Sequence, residues 1–288
     1  MSTPLETKSG PPLDKMFLTG SKRKILIILF VIGFSGGFLI ANFLGNSYVV
    51  PILMYHEIFP IPKPKYKLSV SAEAFERQMR FLKTNHYNVL PLEKLADLVR
   101  DKKKIPPRTL AITFDDGYLN NYFYAFPILK KYNLPATIFI IVSEAGRYND
   151  QLGVRDRLNW DEIKAMRDSG MITFGSHGLG PDPLTKIESE QDLKKEVFDS
   201  KKILEEKLGG KINQFSYPEG RFNDKIRQLV IDAGYTLAVA TRPGRTYPNN
   251  DVFALKRLKI SESANNLFIL AVKISGFYTF IEERHRKK

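Results

Sequence analysis

Two kinds of apolar pattern run through this chain. One is a single unbroken block, 25–44, of about 20 residues without a charge, enough to cross roughly 30 Å of hydrocarbon as a helix. The other begins at Tyr48, where short runs rich in Val, Ile and Phe alternate with longer stretches of helical spacing. Strands are expected at 49–55, 87–90, 110–114, 136–142, 172–174, 215–217, 237–240 and 255–260. Helices are expected at 71–84, 92–99, 122–132, 160–169, 187–208, 223–233 and 265–282. Ser71 is placed to cap the first helix, and Gly170 and Gly209-Gly210 close two others. Strands that are apolar throughout, separated by helices, argue for a parallel sheet covered by helices, either a barrel or a doubly wound sheet. No internal repeat or linker divides 47–282, so one domain is expected there.

Charge gives the apolar block a direction. Lys22-Arg23-Lys24 precede it and the next charge is Glu57, so the positive-inside rule keeps 1–21 in the cytoplasm and exports the chain beyond Asn46. The alternatives are a cleaved signal peptide and a buried helix. The run is long for a signal sequence and no A-x-A site comes after it, which favours an uncleaved single-pass anchor. The expected layout is a polar tail (1–21), an anchor (22–46), a globular domain (47–282) and a basic tail (283–288). The net charge of +13 is spread over the chain with no nucleic-acid motif beside it, leaving a solvated basic surface or attraction to an anionic envelope. The absence of cysteine excludes disulfides and thiolate zinc sites, so any metal would fall to His, Asp and Glu.

Candidate chemistry starts at Leu110-Ala-Ile-Thr-Phe-Asp-Asp-Gly-Tyr118, where an apolar strand ends in two adjacent carboxylates and a glycine. Asp115 and Asp116 are either two solvated acids in a turn or a metal ligand beside a general base. Of the four histidines, His56 and His177 fall at strand ends, while His86 and His285 read as surface residues. The turn Tyr217-Pro218-Glu219-Gly220 ends a further strand. Two carboxylates and imidazoles at one barrel mouth suit a divalent ion, zinc above all, with a position open for water.

These residues carry a resemblance. Thr113-Phe-Asp-Asp-Gly-Tyr118, Gly175-Ser-His177 and Phe215-Ser-Tyr-Pro-Glu-Gly220 are similar to the successive motifs of the NodB-homology polysaccharide deacetylases, carbohydrate esterase family 4. Leu53-Met-Tyr-His56, Trp160-Asp161 and Asp251-Val-Phe-Ala-Leu255 extend the similarity from about Val49 to Ile260. The early Tyr-His and the Tyr-Pro-x-Gly turn resemble the subgroup acting on poly-N-acetylglucosamine and related envelope glycans.

The resemblance implies a distorted (β/α) barrel and hydrolysis of N-acetyl groups on an extracytoplasmic polysaccharide. Asp115 would be the general base, Asp116 and His177 would hold the metal, and the turn at Tyr217 would offer a backbone N–H to the oxyanion. Three departures stand out. The second metal histidine is Pro181, with Asp182 one residue beyond as a substitute oxygen ligand. The late Leu-x-His motif carries Arg257 in place of histidine, and Ser216 replaces the arginine of the third motif. His56 is then the imidazole left to protonate the leaving amine or ligate metal, unless it is a hydrogen-bonded strand-end histidine. The alternatives to a deacetylase are a glycan-binding module of the same fold and a carbohydrate O-acetyl esterase.

Overall fold

The computed structural model describes residues 49–61, 68–149, 154–241 and 251–278. The chain divides into two units, Met1–Ser47 and Tyr48–Lys288, and all described residues belong to the second. The expected tails and the expected anchor at 22–46 lie outside the described residues. Among those described, no helix is long and apolar enough to cross a membrane.

The chain opens with β1 (Ile52–Tyr55), β2 (Glu57–Phe59) and β3 (Ser69–Ser71), followed by α1 (Ala72–Thr84) and β4 (Asn88–Val89). Next come α2 (Leu92–Arg100), β5 (Thr109–Phe114), α3 (Phe126–Tyr132) and β6 (Ala136–Ile140). A small antiparallel pair, β7 (Tyr148–Asn149) and β8 (Val154–Arg155), precedes α4 (Trp160–Asp168) and β9 (Ile172–Ser176). The last third holds α5 (Glu190–Leu208), β10 (Gln214–Ser216), α6 (Asp224–Asp232) and β11 (Leu237–Ala240). It ends with β12 (Leu255–Lys256), β13 (Leu258–Lys259) and α7 (Leu267–Lys273).

The main sheet runs β12-β11-β10-β9-β6-β5-β1-β13 and is parallel throughout, with β4 added beside β5. β5 is buried at every position, as a strand covered on both faces must be. The expected single last strand is split in two. β12 pairs with β11 at one edge, β13 pairs with β1 at the other, and only Arg257 separates them. The Arg257 N–H still reaches Ala240 O while the Ile260 N–H reaches Met54 O. Five residues thus touch both edges and bring the sheet to a nearly closed barrel, choosing between the two architectures that the sequence left open.

Alternation along the strands then sorts the side chains. Ile52, Ala111, Phe139, Leu237, Val239 and Leu255 form one apolar cluster with Leu92, Leu95, Ala96 and Val99 of α2, which plugs one end of the barrel. The intervening positions, among them Leu53, Ile112, Phe114 and Ala238, join the larger cluster beneath the surrounding helices. The helices begin where capping chemistry allows. The Ser71 hydroxyl accepts the Ala74 N–H, and Asn159 with Glu162 forms a reciprocal capping box at α4.

Other differences have local causes. The expected helix at 122–132 opens as a π turn, Asn121–Ala125, directly after the paired carboxylates, a distortion frequent beside functional sites. The expected helix at 265–282 is a 3₁₀ turn, Glu262–Asn265, followed by the two-turn α7, and 279–282 lie outside the described residues. β2 and β3 form a small parallel pair that their Pro-rich surroundings concealed.

Candidate active site

Several strands of the barrel end in a polar residue continuing their inward-facing set. β1 leads to His56, β5 to Asp115, β9 to His177 and β10 ends on Ser216. Arg257 enters from the β12–β13 seam. His56, Asp115, Asp116, His177, Pro181, Glu219 and Arg257 all line one cleft of about 590 Å³ at the C-terminal ends of the strands.

At its floor lies a buried ion pair. Arg257 Nη1 and Nη2 donate to the two Asp115 carboxylate oxygens, each at 2.6 Å, with the residues 3% and 2% exposed. Arg257 Nη2 also donates to Ser216 Oγ at 2.9 Å, and Nη1 to Thr113 Oγ1 at 3.3 Å. Such fork-on-fork geometry fixes the carboxylate in orientation as well as charge. Burial alone would push the Asp115 carboxyl up. Arg257, and then His177 and His56, outweigh it and hold Asp115 well below the usual carboxylate range.

Asp116 follows at φ 69°, a left-handed conformation that Asp tolerates better than most residues and that carries its side chain away from Arg257's reach. Its Oδ1 lies 3.4 Å from His177 Nε2, and Asp115 Oδ2 lies 4.0 Å from the same nitrogen. The other ring nitrogen, His177 Nδ1, is 2.8 Å from the Ser216 carbonyl. A carbonyl can only accept, so Nδ1 carries a proton, and Nε2 is the ring nitrogen that faces Asp116. Two donors at about 2.1 Å from one tetrahedral ion stand about 3.4 Å apart, and a carbonyl behind the imidazole is the usual outer partner of a ligating histidine.

Asp116 and His177 therefore fit a divalent ion as two of its ligands. The third expected ligand is not brought to them. Asp182 is exposed and does not line the cleft, where Pro181 stands instead. Among the described residues, no group of three His, Cys, Asp or Glu side chains converges on a metal position.

The turn Tyr217 to Gly220, expected to offer a backbone N–H, leaves one at Glu219 and not at Tyr217 itself. One step beyond the inward Ser216, Tyr217 alternates outward, stacks on Phe222 at 4.5 Å and donates its hydroxyl to Phe253 O. Its N–H goes to Val239 O, that of Gly220 to Tyr217 O and that of Arg221 to Pro218 O. The N–H of Glu219, at φ 54°, has no acceptor among the described residues and is the donor this turn leaves for a ligand.

His56 lines the cleft with Nδ1 buried and without a partner among the described residues. Burial pushes its imidazole below the ordinary value, against the upward pull of Asp115 and Asp116. Sequence reasoning reads Arg257 only as a missing histidine and Ser216 only as a missing arginine. The signal it overlooks is that one loss answers the other, since Arg257 supplies from the seam the guanidinium that Ser216 lacks.

A parallel barrel with a tethered carboxylate beside a carboxylate–imidazole pair at its mouth has the design of a hydrolase. The chain belongs to the polysaccharide deacetylase family, whose model matches residues 102–238. A Bacillus subtilis relative is 32% identical over 212 residues, 74% of this chain and 71% of its own. The poly-beta-1,6-N-acetyl-D-glucosamine N-deacetylase of Staphylococcus aureus is 30% identical over 231 residues, 78% and 76% of the two chains. Among solved structures, the Streptococcus pyogenes deacetylase PplD in complex with acetate superposes with a TM-score of 0.67 at 28% identity, covering 77% of this chain and 96% of that one. Members of the family generally depend on a divalent metal ion.

Proposed function

We propose that this protein removes N-acetyl groups from a polymer of N-acetylglucosamine outside the cytoplasm. The observation that carries the reading is the Asp115–Arg257 pair set beside Asp116 and His177 in one open cleft. A divalent ion, most simply zinc, would be held by Asp116 and His177, and when bound it supplies Lewis acidity at the acetyl carbonyl. Asp115, kept ionised and oriented by Arg257, would take the proton of the attacking water. The Glu219 N–H would be the donor for the developing oxyanion. His56 is the imidazole available to deliver a proton to the leaving amine. The relative that acts on poly-β-1,6-N-acetylglucosamine supports the polymer class, and the acetate in the Streptococcus pyogenes structure is the chemistry's expected product.

The layout belongs to the same reading. Residues 22–46 would anchor the protein in a membrane by one helix, with 1–21 cytoplasmic, 47–282 outside and 283–288 a basic tail, supported by the uncharged block at 25–44 and the cations before it. A glycan-binding module is the second reading, and the observation that favours it is Pro181 at the third ligand position.

Acetate release from N-acetylglucosamine oligomers tests both, with zinc supplied and then chelated. Asp115→Asn should lower release by about two to four orders of magnitude, and chelation should abolish it. Equal release from the variant refutes the assigned base. Glycan binding with no release under any metal makes the cleft a binding site. An O-acetylated oligomer run alongside separates amide from ester hydrolysis.

A further inference from the structure

The loop after His177 is built around a carboxylate that takes no part in the hydrolysis. Glu196, half-buried in the second turn of α5, accepts the N–H groups of both Leu179 and Gly180 on one oxygen, Oε2, each at 2.8 Å. No lysine or arginine pairs with it among the described residues. Its partners are those two backbone donors, an anion seated in a nest of N–H groups.

The loop's sequence is shaped to this carboxylate. A Cβ on Gly178, where φ is 92°, would stand 3.2 Å from Glu196 Oε2, and one on Gly180 would stand 3.2 Å from Oε1. Gly178-Leu-Gly180 therefore leaves room for the carboxylate to approach the backbone, and φ at Gly178 is one that side-chain-bearing residues avoid.

α5 holds the loop at a second point. One turn further along, Ser200 Oγ lies 2.9 Å from Ser176 Oγ, which in turn accepts the Gly178 N–H at 3.1 Å. From the opposite side, the Val142 and Ser143 N–H groups donate to Gly178 O and Leu179 O. The segment between His177 and Pro181 is thus clasped between α5 and the end of β6.

We infer that Glu196 is a positioning residue, which sets the 177–181 loop and through it the aim of His177 at Asp116. This rests on the reading of Asp116 and His177 as metal ligands. With only two protein donors in place, their mutual aim carries more of the affinity than it would in a fuller set. Outer groups that orient ligands commonly change metal affinity about 10–100-fold when removed.

The test compares the full chain with Glu196→Ala and Glu196→Gln. Amide hydrogen exchange is read residue by residue, zinc affinity by calorimetry with the metal alone, and the His177 ring by nitrogen NMR. Glu196→Ala should speed exchange at Leu179 and Gly180 selectively, shift the His177 ring signals and weaken zinc binding at least tenfold. Glu196→Gln, whose carbonyl oxygen still accepts, should fall between.

Unchanged exchange at 179–180 together with unchanged zinc affinity overturns the inference. So does uniform acceleration of every barrel amide, which assigns Glu196 to general stability. If the wild-type protein takes up no zinc, the metal reading fails on its own, and selective exchange with a shifted His177 ring still decides the role of Glu196.

Discussion

Without the Arg257 guanidinium, Asp115 would be left as a carboxylate on the cleft floor with only His177 and His56 to oppose its burial. Breaking one side of a buried ion pair typically costs about 3–5 kcal/mol, and Arg257→Met should cost that much in urea unfolding at neutral pH. The pH dependence identifies the cause. In the wild-type protein, Asp115 is held below its unfolded value of about 3.9, so its contribution is present above that pH and is lost only as pH falls through the lower folded value. In the variant only the two imidazoles still oppose burial, so the folded value should move up. A carboxyl so shifted is best tolerated below about pH 4 and destabilises increasingly as pH rises through its folded value. The penalty should therefore be smaller at pH 4 than at pH 7. An equal penalty at both would mean that Arg257 acts through packing alone.

The loop between β9 and α5 is where this barrel departs furthest from the pattern its motifs resemble. Pro181 lines the cleft but has no donor, so Pro181→His should add a ligand beside Asp116 and His177. Zinc affinity measured by calorimetry should rise at least tenfold, about 1.4 kcal/mol. An unchanged affinity would show that the loop does not aim position 181 at the metal.

Sequence and structure part company in a consistent way around such elements. Asp115, Asp116 and His177 are legible because each sits within a few residues of a short apolar run, and strand ends are local signals. Asp182 is suggested by its nearness in sequence to Pro181, but a loop folded around Glu196 turns it outward. Tyr217 is suggested by its motif, and a one-residue step in a period-two strand moves it to the other face. Arg257 stands 142 residues from Asp115 in sequence, so no local pattern could pair them. Their meeting depends on how the sheet closes, which composition and periodicity do not encode.

For the molecule as a whole, the unit Tyr48–Lys288 supplies its own core, its own caps and the described residues that line the cleft. Deleting 1–46 should therefore leave the melting temperature and the acetate released per molecule unchanged, while moving the protein from the membrane fraction to the soluble one. Retention at the membrane after the deletion would refute the anchor.

The seam at Arg257 bears on how the protein is made. A ribosome delivers the chain from its N-terminus, so β1 emerges about two hundred residues before its neighbour β13. Until that last segment arrives, β1 and β11 each present an open edge, and Asp115 lacks its guanidinium. One stretch of five residues then closes both edges and installs the cation together. A nascent or C-terminally clipped chain in this way carries two open edges and an uncompensated carboxylate, and closing the barrel and pairing Asp115 become a single event.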